Sequence, residues 1–356
     1  MTTTTAPTDN TLGHRLAAIA RRDPYLSRLV VILLALLLLF LILRPGNFLS
    51  GGTWDSMAVQ APEFGLMALG VMVAMLTGGI DLSVVGIANM TSVLAAVIML
   101  ALVPTGSGVG AVAFGIAMAM LASLLLGLLA GAMNGFLVGK LKIPAILVTL
   151  GTLELFIGVA IVITEGRPIS GLPIAYTNLM AGNLFGVIPM QLISFLLAVA
   201  LLAFIMVRTT FGAKLYMLGS NGINAKLSGL NSTWILIRTY MLSGLFSAMA
   251  GLVMLANYNS AKADYGLNYT LLTVLIVVLG GVNPNGGRGK LLGVVLAIVT
   301  LQIVSSGLNL FPQISNFYRA LIWGGLLLFV IATGNIKGGG LGKRLRRSKR
   351  EEVVTS

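Results

Sequence analysis

The chain has 356 residues, 57% of them hydrophobic and only 9% charged, with a mean hydropathy of +0.98 and a formal charge of +13. A soluble globular domain carries roughly 25% charged residues, so this composition excludes that class, and it equally excludes a disordered or nucleic-acid-binding chain. The positive charge is read against a membrane, and the 44 glycines as close helix packing within it.

A polar, basic N-tail (1–27) precedes ten apolar runs near the ~20 residues needed to cross a bilayer. They fall at 28–44, 56–78, 84–103, 110–138, 143–164, 187–207, 234–257, 267–282, 290–308 and 313–334, and a basic C-tail (335–356) follows. The expected fold is all-α: one polytopic bundle of about ten transmembrane helices over 28–334. The first run is read as a retained helix, because Arg44, Pro45, Gly46 and Asn47 follow it instead of a cleavage site. The fourth run is long and predicts two elements or a kink near Gly127 and Gly131. The eighth is short. With the N-terminus inside, eighteen Lys and Arg lie on the cytoplasmic side, against three (Arg44, Arg167, Lys262) outside. Arg238 and Arg319 sit near helix ends and snorkel. That bias places both termini in the cytoplasm, with the basic run 343–350 on anionic headgroups.

Much chemistry is missing. There is no Cys, and the single His, His14, lies in the N-tail. No disulfide, thiolate metal site or buried imidazole base is available. No GxxxxGK[ST] loop occurs, so any ATP is bound by another chain. The expectation is no catalytic residue, no metal and no cofactor on this chain.

Three loops stand out. Residues 78–83 hold Asp81 as their only charge. Either its carboxylate secures a re-entrant or gating turn, or Asp81 or Ser83 is an ordinary helix N-cap, with Ser83 the better placed. Residues 208–233 are too long for a turn and too apolar for a free linker. Gly219, Ser220, Asn221 and Gly222 signal a turn between two short helices, 213–218 and 223–228. This is either a docking element for a cytoplasmic partner or an interfacial helix pair lying on the membrane. The docking reading rests on Phe211, Gly212, Leu215, Tyr216, Gly219, Asn221, Ala225, Ser228 and Gly229. Leu215 and Tyr216 would be its apolar anchors, and Lys214 and Lys226 would steer an acidic surface. Residues 280–293 carry Gly280, Gly281, Gly286, Gly287, Gly289 and Gly293, which permit a tight turn and close helix approach. A phosphate cradle is the weaker reading, since no Ser or Thr follows Lys290 and no strand precedes the loop.

Intramembrane polar residues form the remaining class. Glu63 lies in the outer half of the second span and Glu154 near the middle of the fifth. A charge at the bilayer centre costs about 2.5–3.5 kcal/mol, so each either faces a path or is a hydrogen-bonded packing residue. Asn89, Asn134, Gln302 and Asn309 either line a polyol path or join helices. The second and eighth spans end alike, in Gly78-Gly79 and Gly280-Gly281, a repeat too short to carry an argument.

At these residues the chain resembles the permease subunits of bacterial ABC sugar importers, the ribose, xylose, rhamnose and autoinducer-2 group. The resemblance runs from Ala61 to Ile331. It is carried by residues 77–84, Asn134-Gly135, 142–152, 211–229 and 280–293. Residues 260–264 with Gly266 are most similar to the autoinducer-2 and rhamnose types. Ser83-Val84-Val85-Gly86 departs from the pattern by one extra Val. Asn268-Tyr269-Thr270 stands where relatives often place a Glu-Leu pair, and Glu154 occupies a position expected to be apolar or aromatic. The resemblance implies a permease embedded in the bacterial inner membrane, paired with a second permease chain as homodimer or paralogous heterodimer. A periplasmic sugar-binding protein would deliver the solute, and a cytoplasmic ABC ATPase would use ATP and dock on 208–233. The alternative is a stand-alone secondary transporter or channel for a small polar solute, for which only Glu63, Asp81 and Glu154 could couple an ion. A membrane enzyme lacks any paired acid–base constellation.

Overall fold

A computed structural model describes residues 24–104, 106–311, 313, 318, 321–325 and 328. The predicted C-tail, nearly all of the N-tail and most of the predicted tenth span lie outside the described residues. Eight of the described helices are long and apolar enough to cross a membrane. They are α1 (Pro24–Leu43), α2 (Gly51–Leu76), α3 (Val84–Leu102), α4 (Val109–Gly139), α5 (Ala145–Thr164), α7 (Met190–Arg208), α10 (Ser232–Tyr258) and α12 (Leu291–Asn309). Besides one turn at Pro45–Phe48, the shorter helices in chain order are α6 (Ile174–Ala181), α8 (Thr210–Ser220), α9 (Gly222–Leu227) and α11 (Tyr269–Leu279). The all-α expectation holds, apart from two ladders of two residues each. One joins 169–170 to 260–261 and the other 183–184 to 188–189.

Two expectations need correction. The eighth run is not a full span: α11 has 11 residues, about 16 Å at 1.5 Å per residue, half of a ~30 Å hydrocarbon core. The fourth run does not break either: α4 is one continuous helix of 31 residues. Gly127, Gly131 and Gly135 pack closely on a neighbouring helix. A Cβ at 127 would sit 2.5 Å from the Gly244 carbonyl oxygen and one at 135 would sit 2.5 Å from the Ile237 Cα, both on α10. The i, i+4, i+8 spacing puts all three on one face, and α10 lies directly against it.

The core follows from which helices are surrounded. In α2 and α10, 83% and 78% of the most apolar window is buried, against 11% in α1 and 22% in α7. α2 and α10 are the spine, with α3 and α4 packed on α10 and α11 and α12 on α2. α8 and α9 sit at one end of the bundle, where α2 and α4 finish and α10 starts. Gly78 and Gly281, which follow α2 and α11, both turn at positive φ (86° and 84°). The loops they open meet beneath α8, since a Cβ on Gly286 would lie 2.7 Å from the Gly78 nitrogen and 3.0 Å from the Gly219 Cα.

Candidate functional site

Asp81 lies in the break between α2 and α3 and is completely buried. Its Oδ1 accepts from the Ser83 backbone N–H (3.0 Å) and the Ser83 hydroxyl (2.6 Å). Its Oδ2 accepts from the Ser243 hydroxyl on α10 at 2.7 Å. Asn134 on α4 donates through Nδ2 to the Ser83 oxygen at 2.8 Å. Ser83 does hold the N-cap position of α3, but its side chain makes no capping bond. The structure thus shows a local Asp–Ser turn clamped to α4 and α10, and the side-chain N-cap expected of Ser83 is not formed. Thr149 on α5 adds a hydrogen bond to the Ile80 carbonyl (3.0 Å). Two buried atoms beside this network, Asn134 Oδ1 and the Tyr240 hydroxyl, have no hydrogen-bond partner.

Directly below sits α8. Thr209 caps it, accepting from the Gly212 N–H at 3.4 Å, and Asn221 caps α9, accepting from Ile223 and Asn224 at 3.1 and 3.0 Å. The two short helices of the sequence reading are present: α8 starts three residues earlier and ends two later than expected, and α9 is shifted one residue toward the N-terminus. Gly212, Leu215, Leu218 and Ala225 are buried against the chain itself, and Phe211 packs on the core. Tyr216 donates to the Gly289 carbonyl at 2.9 Å. Burial pushes the Tyr216 hydroxyl up from its ordinary value, while the charge of Lys290 pulls it down. Leu215 thus turns fully inward, which corrects its expected role as an anchor for a partner, while Tyr216 is half-buried. The outward apolar residues are Met217, Ile223 (73% exposed) and Leu227 (82%). Ile223 and Leu227, one helical turn apart, carried the signal of an unpartnered face. Ser228 spends its hydroxyl on the Asn224 carbonyl.

The glycine-rich loop is the seat of α8. The Gly287 N–H donates to the Leu76 carbonyl at 2.9 Å, and a Cβ on Gly219 would collide with that same carbonyl. Gly281, Gly286 and Gly287 all have positive φ. Gly280 lies against the backbone of Val294, and Gly289 fits between the side chains of Val282 and Leu76. The Gly286 N–H is held by Asn283. These amides are committed within the protein, which argues against a phosphate cradle.

A second carboxylate cluster lies toward the opposite end. Glu63 is 2% exposed. Its Oε1 accepts from Asn257 Nδ2 at 2.7 Å; its Oε2 accepts from the hydroxyls of Tyr258 (2.8 Å) and Tyr269 (3.1 Å). Gln191 on α7 donates to Asn257 Oδ1 at 2.7 Å. Four helices, α2, α7, α10 and α11, converge there. Tyr269, in the stretch where the resemblance expects Glu-Leu, supplies a hydroxyl to a carboxylate from α2. None of Asn257, Tyr258, Tyr269, Gln191 or Ser243 was singled out as a site residue from the sequence. A run of polar residues at the end of the seventh span was the available signal.

The remaining candidates do not join either cluster. Asn89 donates to the carbonyls of Ala263 and Tyr265 at 2.8 and 2.9 Å, pinning the 259–268 loop. Asn309 ends α12 and is exposed. Glu154 is exposed at the midpoint of α5, on the face away from α3, and Gly151 and Gly158, about one turn to either side, have nothing within 4 Å of their Cβ positions.

Comparison with known proteins fits this layout. A family model described as "Branched-chain amino acid transport system / permease component" matches residues 54–331. The ribose import permease protein RbsC of Bacillus subtilis (strain 168) is 32% identical over 86% of this chain and 90% of its own. The autoinducer 2 import system permease protein LsrC of Escherichia coli (strain SMS-3-5 / SECEC) is 35% identical over 91% of both chains. The D-allose transport system permease protein AlsC of Escherichia coli (strain K12) is 29% identical over 85% of this chain and 89% of its own. Among solved structures, a metal-chelate type ABC transporter in an inward-facing conformation has a TM-score of 0.50 at 17% identity, covering 87% of this chain and 98% of that one. That likeness concerns the fold alone. With a family match over most of its length and relatives above 30% identity along nearly their whole chains, this protein belongs to the ABC-importer permease-component family, as a multi-pass membrane transport subunit and not an enzyme.

Proposed function

We propose that the chain is the membrane-spanning subunit of an importer for a simple sugar or similar small polyol of the ribose, allose or autoinducer-2 kind. A separate ATPase drives it and a binding protein delivers the solute. The α8 end is cytoplasmic, and the start of α1 shares that side. The observation that carries the reading is the build of α8 and α9. Their inner face is keyed to the end of α2 and to the glycine-rich loop, while Met217, Ile223 and Leu227 face outward without a partner. A subunit with no nucleotide site needs such a rigid contact to receive force. Lys214 and Lys226 beside the patch suit an acidic partner surface. The sugar class is supported by the ribose, autoinducer-2 and D-allose relatives.

The exposed face of α5 supports a second permease chain. A carboxylate at mid-helix facing hydrocarbon costs about 2.5–3.5 kcal/mol, and glycines with open space permit close approach of another helix. Glu154 then faces a partner chain or the path between two chains, and does not couple an ion.

ATP-dependent uptake of labelled ribose, allose and autoinducer-2 into vesicles holding permease and ATPase is the test. Uptake driven by a proton gradient without the ATPase overturns the reading. Because the chain has no Cys, orientation is read with single thiols at exposed sites. Ser170→Cys reacts with an impermeant reagent from outside, and Asn221→Cys only after the cell is opened.

A further inference from the structure

Beside the Glu63 cluster lies a cavity of about 480 Å³ between α2, the 259–268 loop, α11 and α12. That volume falls within the ~300–1,000 Å³ of small-molecule sites. Phe64 and Trp323 supply aromatic walls, and Gln60, Asn268, Gln302 and Ser305 supply neutral polar groups. The hydroxyls of Tyr258 and Tyr269, which also line it, are engaged by Glu63. Asp264 at the rim is paired with Lys262 at 3.0 Å.

Gln302 makes this more than a packing gap. It is 3% exposed, its Nε2 donates to the Ser306 hydroxyl at 2.9 Å, and its Oε1 has no hydrogen-bond partner. Gln302 lines the cavity, and its unsatisfied acceptor, closed off in the wall, is matched when the amide turns toward a ligand that donates. Aromatic faces and amides together fit a molecule with both C–H faces and hydroxyls. Among the described residues no cationic side chain lines the cavity, and two carboxylates lie at or next to it, so an anion is disfavoured. An acyl chain would fill the space but leave Gln302 unmatched.

We propose that this cavity is a binding site for a neutral, monosaccharide-sized polyol, held within one permease chain and apart from any path formed between two chains. The proposal rests on the sugar-permease reading and locates a staging point within it. Gln302 accepts a ligand hydroxyl, Ser305 and Asn268 add hydrogen bonds, and Phe64 and Trp323 flank the ring.

Trp323 provides the readout. The full-length chain carrying Trp54→Phe and Trp234→Phe keeps it as the sole Trp. In phosphatidylcholine nanodiscs, D-ribose and D-allose should change its emission saturably, whereas ribose 5-phosphate should not. Gln302→Met keeps the side-chain length and removes the acceptor, and should weaken binding at least tenfold. Ser305→Ala should weaken it about threefold, and reads the same cavity if Gln302→Met does not fold. The same titration in phosphatidylglycerol tests whether a headgroup glycerol is the occupant. A lipid-set, Gln302-dependent emission that abolishes the sugar response would overturn the proposal, as would absence of any saturable sugar response or equal affinity in both variants. ATP-driven uptake measured in parallel separates the two readings. Intact uptake without cavity binding removes only the cavity, and binding without ATP-driven uptake removes only the importer.

Discussion

The two buried carboxylates, Asp81 and Glu63, each collect three hydrogen bonds, yet they are built differently. Asp81 takes two from Ser83, two residues on, and one from Ser243. Glu63 takes all of its bonds from residues some two hundred positions away. The Asp81 cluster closes a break in the chain and is sealed from solvent. The Glu63 cluster staples helices that are already continuous, and its rim is open, since Tyr258 is 43% exposed. The Asp81 cluster also touches the route from α8, through Gly219, Gly286 and Gly78, into the break after α2. With Asn134 Oδ1 and the Tyr240 hydroxyl unpaired beside it, it has groups free to form new bonds when that route shifts. The comparison separates a joint near the coupling helix from a clamp at the far side.

The largest effect is expected at the joint. Asp81→Leu leaves the Ser83 N–H and two hydroxyls without an acceptor in a site that water does not reach. A buried unsatisfied group costs about 1–3 kcal/mol, so the variant should lose about 3 kcal/mol of stability and all ATP-dependent uptake. Asp81→Asn keeps one carbonyl for Ser83 and lets Ser243 accept instead, and should lose about 1 kcal/mol. Thermal unfolding in detergent and vesicle uptake measure both. A Leu variant as stable as the parent would erase the distinction.

How far each region is legible follows from the same contrast. The break at 78–83 and the two helices of 208–233 are written locally, in glycines, Asp81 and the turn at 219–222. Spans follow from apolar runs, which is why eight appear where the sequence places them. What sequence misses is long-range. Nothing near Glu63 announces Asn257, Tyr258 or Tyr269. Nothing in 211–219 says that Leu215 faces inward, because α8 has an apolar side toward the bundle and Met217 on the other. The eighth run already reads as short, and α11 is shorter still, by two residues at its start and three at its end. The packing of the glycines at 127 and 131 on α10 is not visible in the sequence, because the facing helix is about a hundred residues away.

Next in size are the changes that separate the seat of α8 from its free surface. Gly219→Ala drives a Cβ into the Leu76 carbonyl and should cut uptake by at least tenfold. Gly229 has φ +78° but open space around it, so Gly229→Ala should cost only about 1 kcal/mol and spare most uptake. Ile223→Asp with Leu227→Asp should leave the unfolding midpoint unchanged and abolish co-purification of the ATPase. Retained co-purification would return 208–233 to a passive interfacial pair.

At the clamp the expected effects are smaller. Glu63→Leu strands Asn257 and two Tyr hydroxyls, but the open rim lets water take their bonds, so about 1–2 kcal/mol is expected. Glu63→Gln should cost under about 1 kcal/mol, because hydroxyls can accept from the new amide. Neither should change ATPase co-purification. A loss of stability at Glu63 matching that at Asp81 would mean that the far cluster is sealed as tightly as the near one.

The finest distinction lies inside the clamp. Tyr258 and Tyr269 donate to the same oxygen, Glu63 Oε2. Removing one hydroxyl leaves the other to tighten on that oxygen, and each ring keeps its packing: Tyr258 against Tyr265 at 4.9 Å, and Tyr269 against Phe64 at 5.8 Å. Tyr258→Phe and Tyr269→Phe should therefore each cost about 0.5 kcal/mol. The double variant takes both donors from Oε2, leaves only Asn257 on the other oxygen, and should exceed the sum by at least ~0.5 kcal/mol. Unfolding midpoints for the four proteins complete the cycle. A strictly additive result would mean that water replaces each hydroxyl independently. The clamp would then be held by Asn257 and by apolar packing, and the contrast with Asp81 would rest on solvent access alone.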